Sequence, residues 1–312
     1  MLAIKGFIKK FAPLSLQMTY KKIKILFCSA FEYIFSEPKN FKYDLAIVAI
    51  IKNEGRYIDE WIKYHLLVGV QHFYLYNNES EDNIQEILKD YIKRGIVDLI
   101  YFPGKAQQIP AYQNALKKYR NECKYMAVVD ADEFIRPIDH NKNILDVIEE
   151  IFKLAKNNKR VAGVYIAWKM FGSSGHVKMP EGGGVLNNFL HCEETGSNPH
   201  RMGKVIINPR KTFYFLNPHF QILGWGNIFY MLNENGEKIL SCDVKLTLKK
   251  ICIHHYFTKS KTEFLIKRNR GRADLLKSRP LKDFDIFNFN DVYDDSMLYY
   301  ADKLENIKTY GK

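Results

Sequence analysis

The chain has 312 residues, of which 46% are hydrophobic and 26% are charged. This composition excludes a largely disordered protein and suits one large α/β domain. The net charge of +12 predicts an acidic partner, such as nucleic acid, an anionic membrane or a phosphorylated substrate. The five cysteines show no C-x-x-C spacing, so the sequence indicates neither a disulfide framework nor a zinc knuckle and favours a reducing compartment.

Residues 1–43 are predicted to form a basic, amphipathic leader. Its longest apolar run, residues 25–31, is too short to span a bilayer, and no signal-peptide cleavage site follows it. Lysines alternate with Phe, Leu and Ile, which is typical of helices that lie on an anionic membrane surface. An amphipathic helix packed on the protein's own domain would show the same pattern.

From residue 44 onward the hydrophobic pattern alternates between strand and helix periods. Strands are predicted at 45–51, 72–76, 97–102 and 125–129, and helices at 57–68, 80–94 and 111–120. Right-handed crossovers between such units give a mostly parallel central sheet with helices on both faces.

The second half of the chain has a looser pattern. A helix is predicted at 144–155 and a fifth strand at 161–168, followed by glycine-punctuated loops and short antiparallel strands. We expect this half to shape an acceptor site. Residues 268–312 are predicted to be a charged C-terminal extension. A basic stretch at 259–282 overlaps its start and is either a basic face near a ligand or membrane or a solvated helix.

The tetrad Asp130-Ala131-Asp132-Glu133 comes directly after the fourth strand. Ligands of open α/β sheets bind beyond the carboxyl ends of the strands. Two carboxylates one residue apart at that place suit a divalent cation and, through it, a diphosphate. A solvated turn or a helix cap is the alternative.

Polar residues also follow the first two strands, namely Asn53 and Glu54 after the first and Asn77 and Asn78 after the second. With the tetrad they should open on one crevice. The chain resembles glycosyltransferase family 92, of GT-A fold, in IKNEGRYIDEWIKYH at 51–65, HFYLYNNESEDN at 72–83, QIPAYQN at 108–114, DADEF at 130–134, WKMFGSSGH at 168–176 and HYFTKS at 255–260. The resemblance covers roughly residues 44–267, which we take as the GT-A domain.

This resemblance implies an inverting, metal-dependent transfer of a hexose, possibly galactose, from a UDP-sugar to a hydroxyl of a glycan or glycolipid. Asp130, Asp132 and His255 would hold Mn²⁺ or Mg²⁺, although a buried core position for His255, or His254 as the third ligand, is an equal alternative. Donor-binding roles are expected for the uridine-facing Asn53, Glu54 and Asn77, for Gln108, Tyr112 and Asn114 beside the nucleotide and sugar, and for the phosphate-facing Lys204 and Lys259.

Inversion needs a carboxylate that deprotonates the acceptor hydroxyl. Glu181 and Glu193 follow the WKMFGSSGH segment and are the candidates, with Glu181 favoured because the three glycines after it permit close approach of a substrate. Trp168 and Phe171 suit either a platform for a sugar face or the core.

Two other functions compete with glycosyl transfer. A nucleic-acid or anionic-lipid binding protein would explain the positive charge, but the acidic strand ends would repel phosphate without a metal, so no nucleic-acid partner is expected. A nucleotidyltransferase also uses paired aspartates, but the expected phosphate-cradling loop is missing. We expect a bacterial enzyme of surface polysaccharide synthesis, located in the cytoplasm, with possible peripheral contact to the inner face of the cytoplasmic membrane.

Overall fold

A computed structural model describes residues 38, 40–194, 202–224, 229–239, 247–276 and 279–306. The predicted leader lies almost entirely outside these residues. Within them, no helix has the length and apolar character needed to cross a membrane.

The first half of the chain builds a parallel sheet. Its strands are β1 (Tyr43–Ile51), β2 (His72–Asn77), β3 (Val97–Tyr101) and β4 (Cys123–Val128), in the spatial order β4-β1-β2-β3. The helices α1 (Gly55–Leu67), α2 (Ile84–Lys93) and α3 (Gln108–Tyr119) connect them. All three strand pairings in this half are parallel, which confirms the α/β fold predicted from the alternating pattern.

The second half extends the sheet beyond β4. It contains β5 (Glu133–Pro137), α4 (Ile144–Lys153), β6 (Val161–Met170), α5 (Val185–Asn188), β7 (His191–Cys192), β8 (Gly203–Ile207), β9 (Thr212–Asn217), β10 (Phe220–Leu223), β11 (Tyr230–Leu232), β12 (Lys238–Ile239), β13 (Ile251–His255), α6 (Lys261–Asn269), α7 (Asp283–Phe287), β14 (Val292–Tyr293) and α8 (Leu298–Asn306). Strand β8 lies antiparallel between β4 and β6, while β13 runs parallel to β6 and antiparallel to β5.

The core has a layer on each face of the sheet. In β1, Leu45, Ile47 and Ala49 pack in one layer, while Ala46 and Val48 pack in the other. A strand that is covered on both faces reads as an unbroken apolar run, which is why the alternation of polar and apolar residues is absent from β1.

Two glycines let β6 and β8 pair closely. A Cβ atom at Gly203 would lie 2.0 Å from the Ile166 carbonyl oxygen, and one at Gly163 would lie 2.1 Å from the Ile206 carbonyl oxygen. Any side chain at either position would push the two strands apart.

One predicted helix begins at the wrong residue, and one strand was not predicted. The helix predicted from residue 80 begins at Ile84, because the Asn77 side chain accepts the Ser80 N–H at 2.9 Å and holds the chain in a turn. Strand β5 was missed, because its partner β13 lies more than a hundred residues away in the sequence.

Residues of the predicted C-terminal extension pack on the rest of the chain. Strand β14 pairs with β7, the Tyr300 ring lies 5.2 Å from that of Tyr64, and Asp294 forms an ion pair with Lys169. The Ala273 carbonyl oxygen accepts a hydrogen bond of 2.9 Å from Gln108 N at the start of α3. This segment therefore reaches the edge of the sheet where β1 and β4 end.

Candidate active site

A cavity of about 800 Å³ opens at the carboxyl ends of β1 and β4. Its floor includes Glu54 after β1, Asp130 and Asp132 after β4, and His255 at the end of β13. One wall is formed by residues from 267 onward, in α6 and the segment that follows it. Ligands of α/β sheets bind at this edge, so the cavity is the candidate active site.

Both carboxylate oxygens of Asp130 are hydrogen-bonded. Oδ1 accepts from Gln108 Nε2 at 2.9 Å and from Tyr112 Oη at 3.2 Å, and Oδ2 lies 2.8 Å from Lys204 Nζ. Three of the predicted donor-binding residues therefore orient Asp130. Gln108 and Asp130 line the cavity, whereas Tyr112 is fully buried.

Lys204 lies beneath the cavity, which corrects the position expected for a phosphate-binding residue. Its side chain is completely buried, with Nζ 3.7 Å from the Glu133 carboxylate as well as close to Asp130. Burial by itself would lower the pKa of Lys204, but the two carboxylates outweigh it and raise that pKa. Burial also raises the pKa of the Glu133 carboxyl well above its usual value, despite the opposing charge of Lys204.

Asp132 is the carboxylate that meets cationic groups inside the cavity. Its Oδ2 forms an ion pair with Lys267 and lies 3.7 Å from His255 Nε2. Burial opposes the ionisation of Asp132, but Lys267 and His255 outweigh burial and hold the pKa of its carboxyl well below the usual value. Burial in turn lowers the pKa of Lys267 to about 8, although Asp132 opposes that change.

Asp132 and His255 are a suitable pair of metal ligands. Burial lowers the pKa of His255, although Asp132 raises it, and this favours the neutral imidazole that a metal requires. A carboxylate and an imidazole suit Mn²⁺. In the described part of the chain, however, no group of three or more His, Cys, Asp or Glu side chains is arranged to hold a metal ion. The remaining ligands would have to come from the substrate or from water.

Glu54 connects the end of β1 to the cavity wall. Its carboxylate forms an ion pair with Arg270 and lies 3.8 Å from Lys259 Nζ. Arg270 also donates to the carbonyl oxygens of Lys52 and Asn53. Lys259 is 8% exposed and does not line the cavity, so it contacts Glu54 but does not occupy the phosphate-facing position predicted for it.

Three predicted donor-binding asparagines make local structural contacts and do not line the cavity. Asn53 Oδ1 accepts from Glu81 N at 2.8 Å, Asn77 Oδ1 accepts from Ser80 N, and Asn114 Oδ1 accepts from Tyr76 Oη at 2.9 Å. Asn78 does line the cavity, and its Nδ2 donates to the carbonyl oxygens of Phe102 and Gly104 at 2.9 and 2.8 Å.

The structure does not bring the two predicted general bases into the cavity. Glu181 is exposed and lies outside the cavity lining. Glu193 is 2% exposed, and its Oε1 accepts from Met170 N at 2.9 Å. The carboxylates that do line the cavity are those of Glu54, Glu79, Asp130, Asp132, Asp274 and Asp283.

Aromatic rings form another part of the wall. The Trp168 ring lines the cavity, 4.3 Å from the His255 ring and 5.1 Å from that of His219, whereas Phe171 is buried in the core. His219 Nδ1 lies 2.9 Å from the Gly203 carbonyl oxygen. No sequence signal marked His219, because it lies in a hairpin turn outside every recognised motif.

Sequence reasoning recognised the basic residues of the cavity wall as a group but assigned no site role to any of them. Lys267, Arg268, Arg270, Arg272 and Arg279 all line it. They belong to the basic stretch at 259–282, whose two possible interpretations were a ligand-facing surface and a solvated helix. In the structure these residues line the cavity, as expected of a ligand-facing surface.

The sequence profile of glycosyltransferase family 92 matches residues 51–271. The chain belongs to glycosyltransferase family 92. This match confirms the resemblance seen in the motifs, and it ends just after α6, so most of the cavity wall beyond Arg270 lies outside the matched family 92 region.

Similar family 92 proteins occur in plants. One from Oryza sativa subsp. japonica is 28% identical over 168 residues, which are 54% of this chain and 27% of that protein. One from Arabidopsis thaliana is 25% identical over 194 residues, 58% of this chain and 32% of that protein. The family 92 chain thus spans about a quarter to a third of the length of these curated relatives.

Solved structures show weaker similarity to the family 92 chain. The S. aureus TarS fragment 1-349 in complex with UDP has a TM-score of 0.35 at 14% identity, covering 53% of this chain and 47% of that one. A putative glucose-1-phosphate thymidylyltransferase from Bacillus anthracis has a TM-score of 0.31 at 14% identity, covering 54% of this chain and 72% of that one.

Proposed function

We propose that this family 92 chain is a glycosyltransferase that moves a hexosyl group, with galactose as one candidate, from a UDP-sugar to a hydroxyl of a glycan or glycolipid. The observation that carries this proposal is the meeting of Asp132, His255 and several cations in one cavity at the carboxyl edge of a parallel sheet. The cavity volume of about 800 Å³ is suitable for a nucleotide sugar.

The two ends of the cavity suit the two parts of such a donor. Ile50, Ile51 and Asn78 line the part at the ends of β1 and β2, where apolar surface and an amide suit a nucleoside. Asp132, His255 and Lys267 line the part next to β4 and β13, where charge suits a diphosphate.

Asp132 and His255 are the residues that would hold a divalent cation, and Asp130, expected to bind it directly or through water, would contribute through water. A bound ion would neutralise negative charge on the departing diphosphate. The imidazole favours Mn²⁺ over Mg²⁺, which prefers oxygen ligands. Asp130 cannot turn freely toward an ion, because Gln108, Tyr112 and Lys204 hold both of its oxygens.

In an inverting transfer, the acceptor oxygen bonds to the anomeric carbon while the bond from that carbon to the diphosphate oxygen breaks. The hydroxyl proton passes to a carboxylate on the acceptor side. Glu181 and Glu193 stay the sequence-based candidates for this role. We add Asp283, because it lines the cavity at the start of α7 and is not committed to any of the ion pairs that hold Glu54, Asp132 and Asp274.

The test is a thermal-unfolding screen of UDP, GDP, ADP and UTP, each with Mn²⁺ and with EDTA. A ligand at 100 times its Kd stabilises the folded protein by about 2.7 kcal/mol. We expect UDP with Mn²⁺ to raise Tm more than the other diphosphates. Absence of a shift with every nucleotide would contradict the proposal. A nucleotidyltransferase would instead respond most to UTP and would release pyrophosphate from it when a sugar 1-phosphate is added to accept the uridylyl group.

The location and the biological role stay predictions. Cytoplasmic location, membrane contact through residues 1–43 and a role in bacterial surface polysaccharide synthesis follow from sequence composition alone. The leader that would make the membrane contact lies almost entirely outside the described residues.

A further inference from the structure

Two cations from the C-terminal part of the chain meet at one aromatic ring in the cavity. Lys267 Nζ lies 4.4 Å from the centre of the Phe257 ring, and the Arg279 guanidinium lies 5.0 Å from the same centre. Both side chains line the cavity, as does Phe257. We call Lys267 and Arg279 the Phe257 cation pair.

Lys267 is fixed at the position where β4 delivers Asp132. Its ammonium donates to the Asp132 carboxylate and, at 3.0 Å, to the Phe257 carbonyl oxygen. The side chain is 15% exposed, so its remaining free surface faces the cavity that it lines. A buried ammonium that keeps one side toward a cavity is suited to binding an anion there.

Arg279 has unused hydrogen-bonding capacity. Its Nε is buried and has no hydrogen-bond partner among the described residues. A buried guanidinium N–H without a partner costs free energy, so the missing acceptor calls for an explanation, and a bound anion is one that the cavity can supply. A guanidinium also matches the paired oxygens of a phosphate group.

Side-chain contacts of Arg268 and Arg270 hold the backbone that carries both cations. Arg268 Nε donates to the Arg279 carbonyl oxygen at 3.0 Å, and Arg270 joins the end of α6 to Glu54 and to the end of β1. The backbone positions from which Lys267 and Arg279 reach the Phe257 ring are therefore fixed by contacts with the rest of the fold.

We propose that the Phe257 cation pair binds the diphosphate of the nucleotide-sugar donor directly. This inference rests on the proposed function and extends it, because it gives the negative charge of the leaving group a protein-borne partner in addition to any metal ion. Most of the wall that carries the pair lies outside the region matched by the family profile, in the segment first taken as an extension.

The experiment measures binding of inorganic pyrophosphate, UDP and uridine by calorimetry, first in EDTA and then with Mn²⁺. The variants are Arg279→Gln and Lys267→Met, with Arg279→Lys as the conservative change and Lys282→Met as the control, since Lys282 is exposed and lies outside the cavity lining. We expect each of the first two to weaken pyrophosphate and UDP binding about tenfold or more and to leave uridine binding unchanged. Arg279→Lys should lose less, and Lys282→Met should match the wild type.

Each other outcome has a definite meaning. If UDP binds with Mn²⁺ but the variants bind pyrophosphate and UDP as tightly as the wild type, the cation pair is refuted and the proposed function stands. The same holds if the wild type binds UDP with Mn²⁺ but no pyrophosphate in EDTA, or if the variants lose uridine affinity equally. If the wild type binds neither UDP nor pyrophosphate under any condition, both proposals fail.

Discussion

The ion pair of Lys204 with Asp130 combines a completely buried cation with a carboxylate that is 31% exposed. An unpaired ammonium at this depth would be costly, so the pair is required by the burial of Lys204. Its effect on the site is indirect, because it orients Asp130 beside Asp132 without entering the cavity.

We expect Lys204→Met to lower the free energy of unfolding by about 3 kcal/mol, at the low end of the range for a broken buried pair because Asp130 keeps some exposure. Urea unfolding measures this change. The double variant with Asp130→Asn should recover part of the loss, which shows coupling. Lys124→Met is the control, since Lys124 pairs with Glu149 at the surface and should cost below about 1 kcal/mol. Equal losses for the two Lys variants would contradict this account.

The sequence predicted the proximity of Asp132 and His255 but not the place of Lys204. The ends of parallel strands share one edge of the sheet, so the position of Asp132 followed from the pattern, and the family resemblance supplied His255. Lys204 stands in β8, a short strand inserted antiparallel between β4 and β6. Local sequence carries no signal for that pairing, so the direction of the Lys204 side chain could not be predicted from the sequence.

At the scale of elements, α6 matters most for the site because it carries Lys267 and is followed directly by Arg270. Its first turn is fixed by a capping box, in which Ser260 Oγ accepts from Glu263 N at 3.3 Å and the Glu263 carboxylate accepts from Ser260 N at 3.1 Å. Helix α4 has an equivalent capping box between Asn143 and Asp146 but carries no cavity residue. The two helices therefore offer a matched comparison.

We expect Ser260→Ala and Asn143→Ala each to lower the free energy of unfolding by about 1–2 kcal/mol in urea titrations, because each removes a helix cap. Only Ser260→Ala should also weaken pyrophosphate binding, since it loosens the helix that holds Lys267. A similar loss of pyrophosphate affinity in Asn143→Ala would show that general stability, and not the position of α6, controls the site.

Regular elements in the first half were predictable, whereas the elements that complete the cavity were not. The alternating strand and helix periods of residues 44–129 depend on local sequence and short crossovers. The β5 and β13 pairing and the approach of Ala273 to the start of α3 join segments more than a hundred residues apart. Such contacts depend on packing of the whole sheet, which periodicity does not describe.

At the scale of the whole molecule, many cationic and carboxylate side chains line the same cavity. Seven Lys and Arg side chains and six Asp and Glu side chains line it. The net charge of +12 predicted an acidic partner, and the cavity lining carries one more cationic than carboxylate side chain. That partner stays a prediction. The central claim is that Asp132 lies at the reacting end of a nucleotide-sugar site.

The most direct measurement is the rate of UDP release from UDP-galactose with Mn²⁺ and a panel of hydroxyl acceptors, compared between the wild type and Asp132→Asn. Asp285→Asn is the control, because Asp285 is exposed and does not line the cavity. We predict a loss of about 100-fold or more for Asp132→Asn, in line with removal of a group that stabilises transition-state charge. Asp285→Asn should keep the wild-type rate. A wild-type rate in Asp132→Asn would contradict the account.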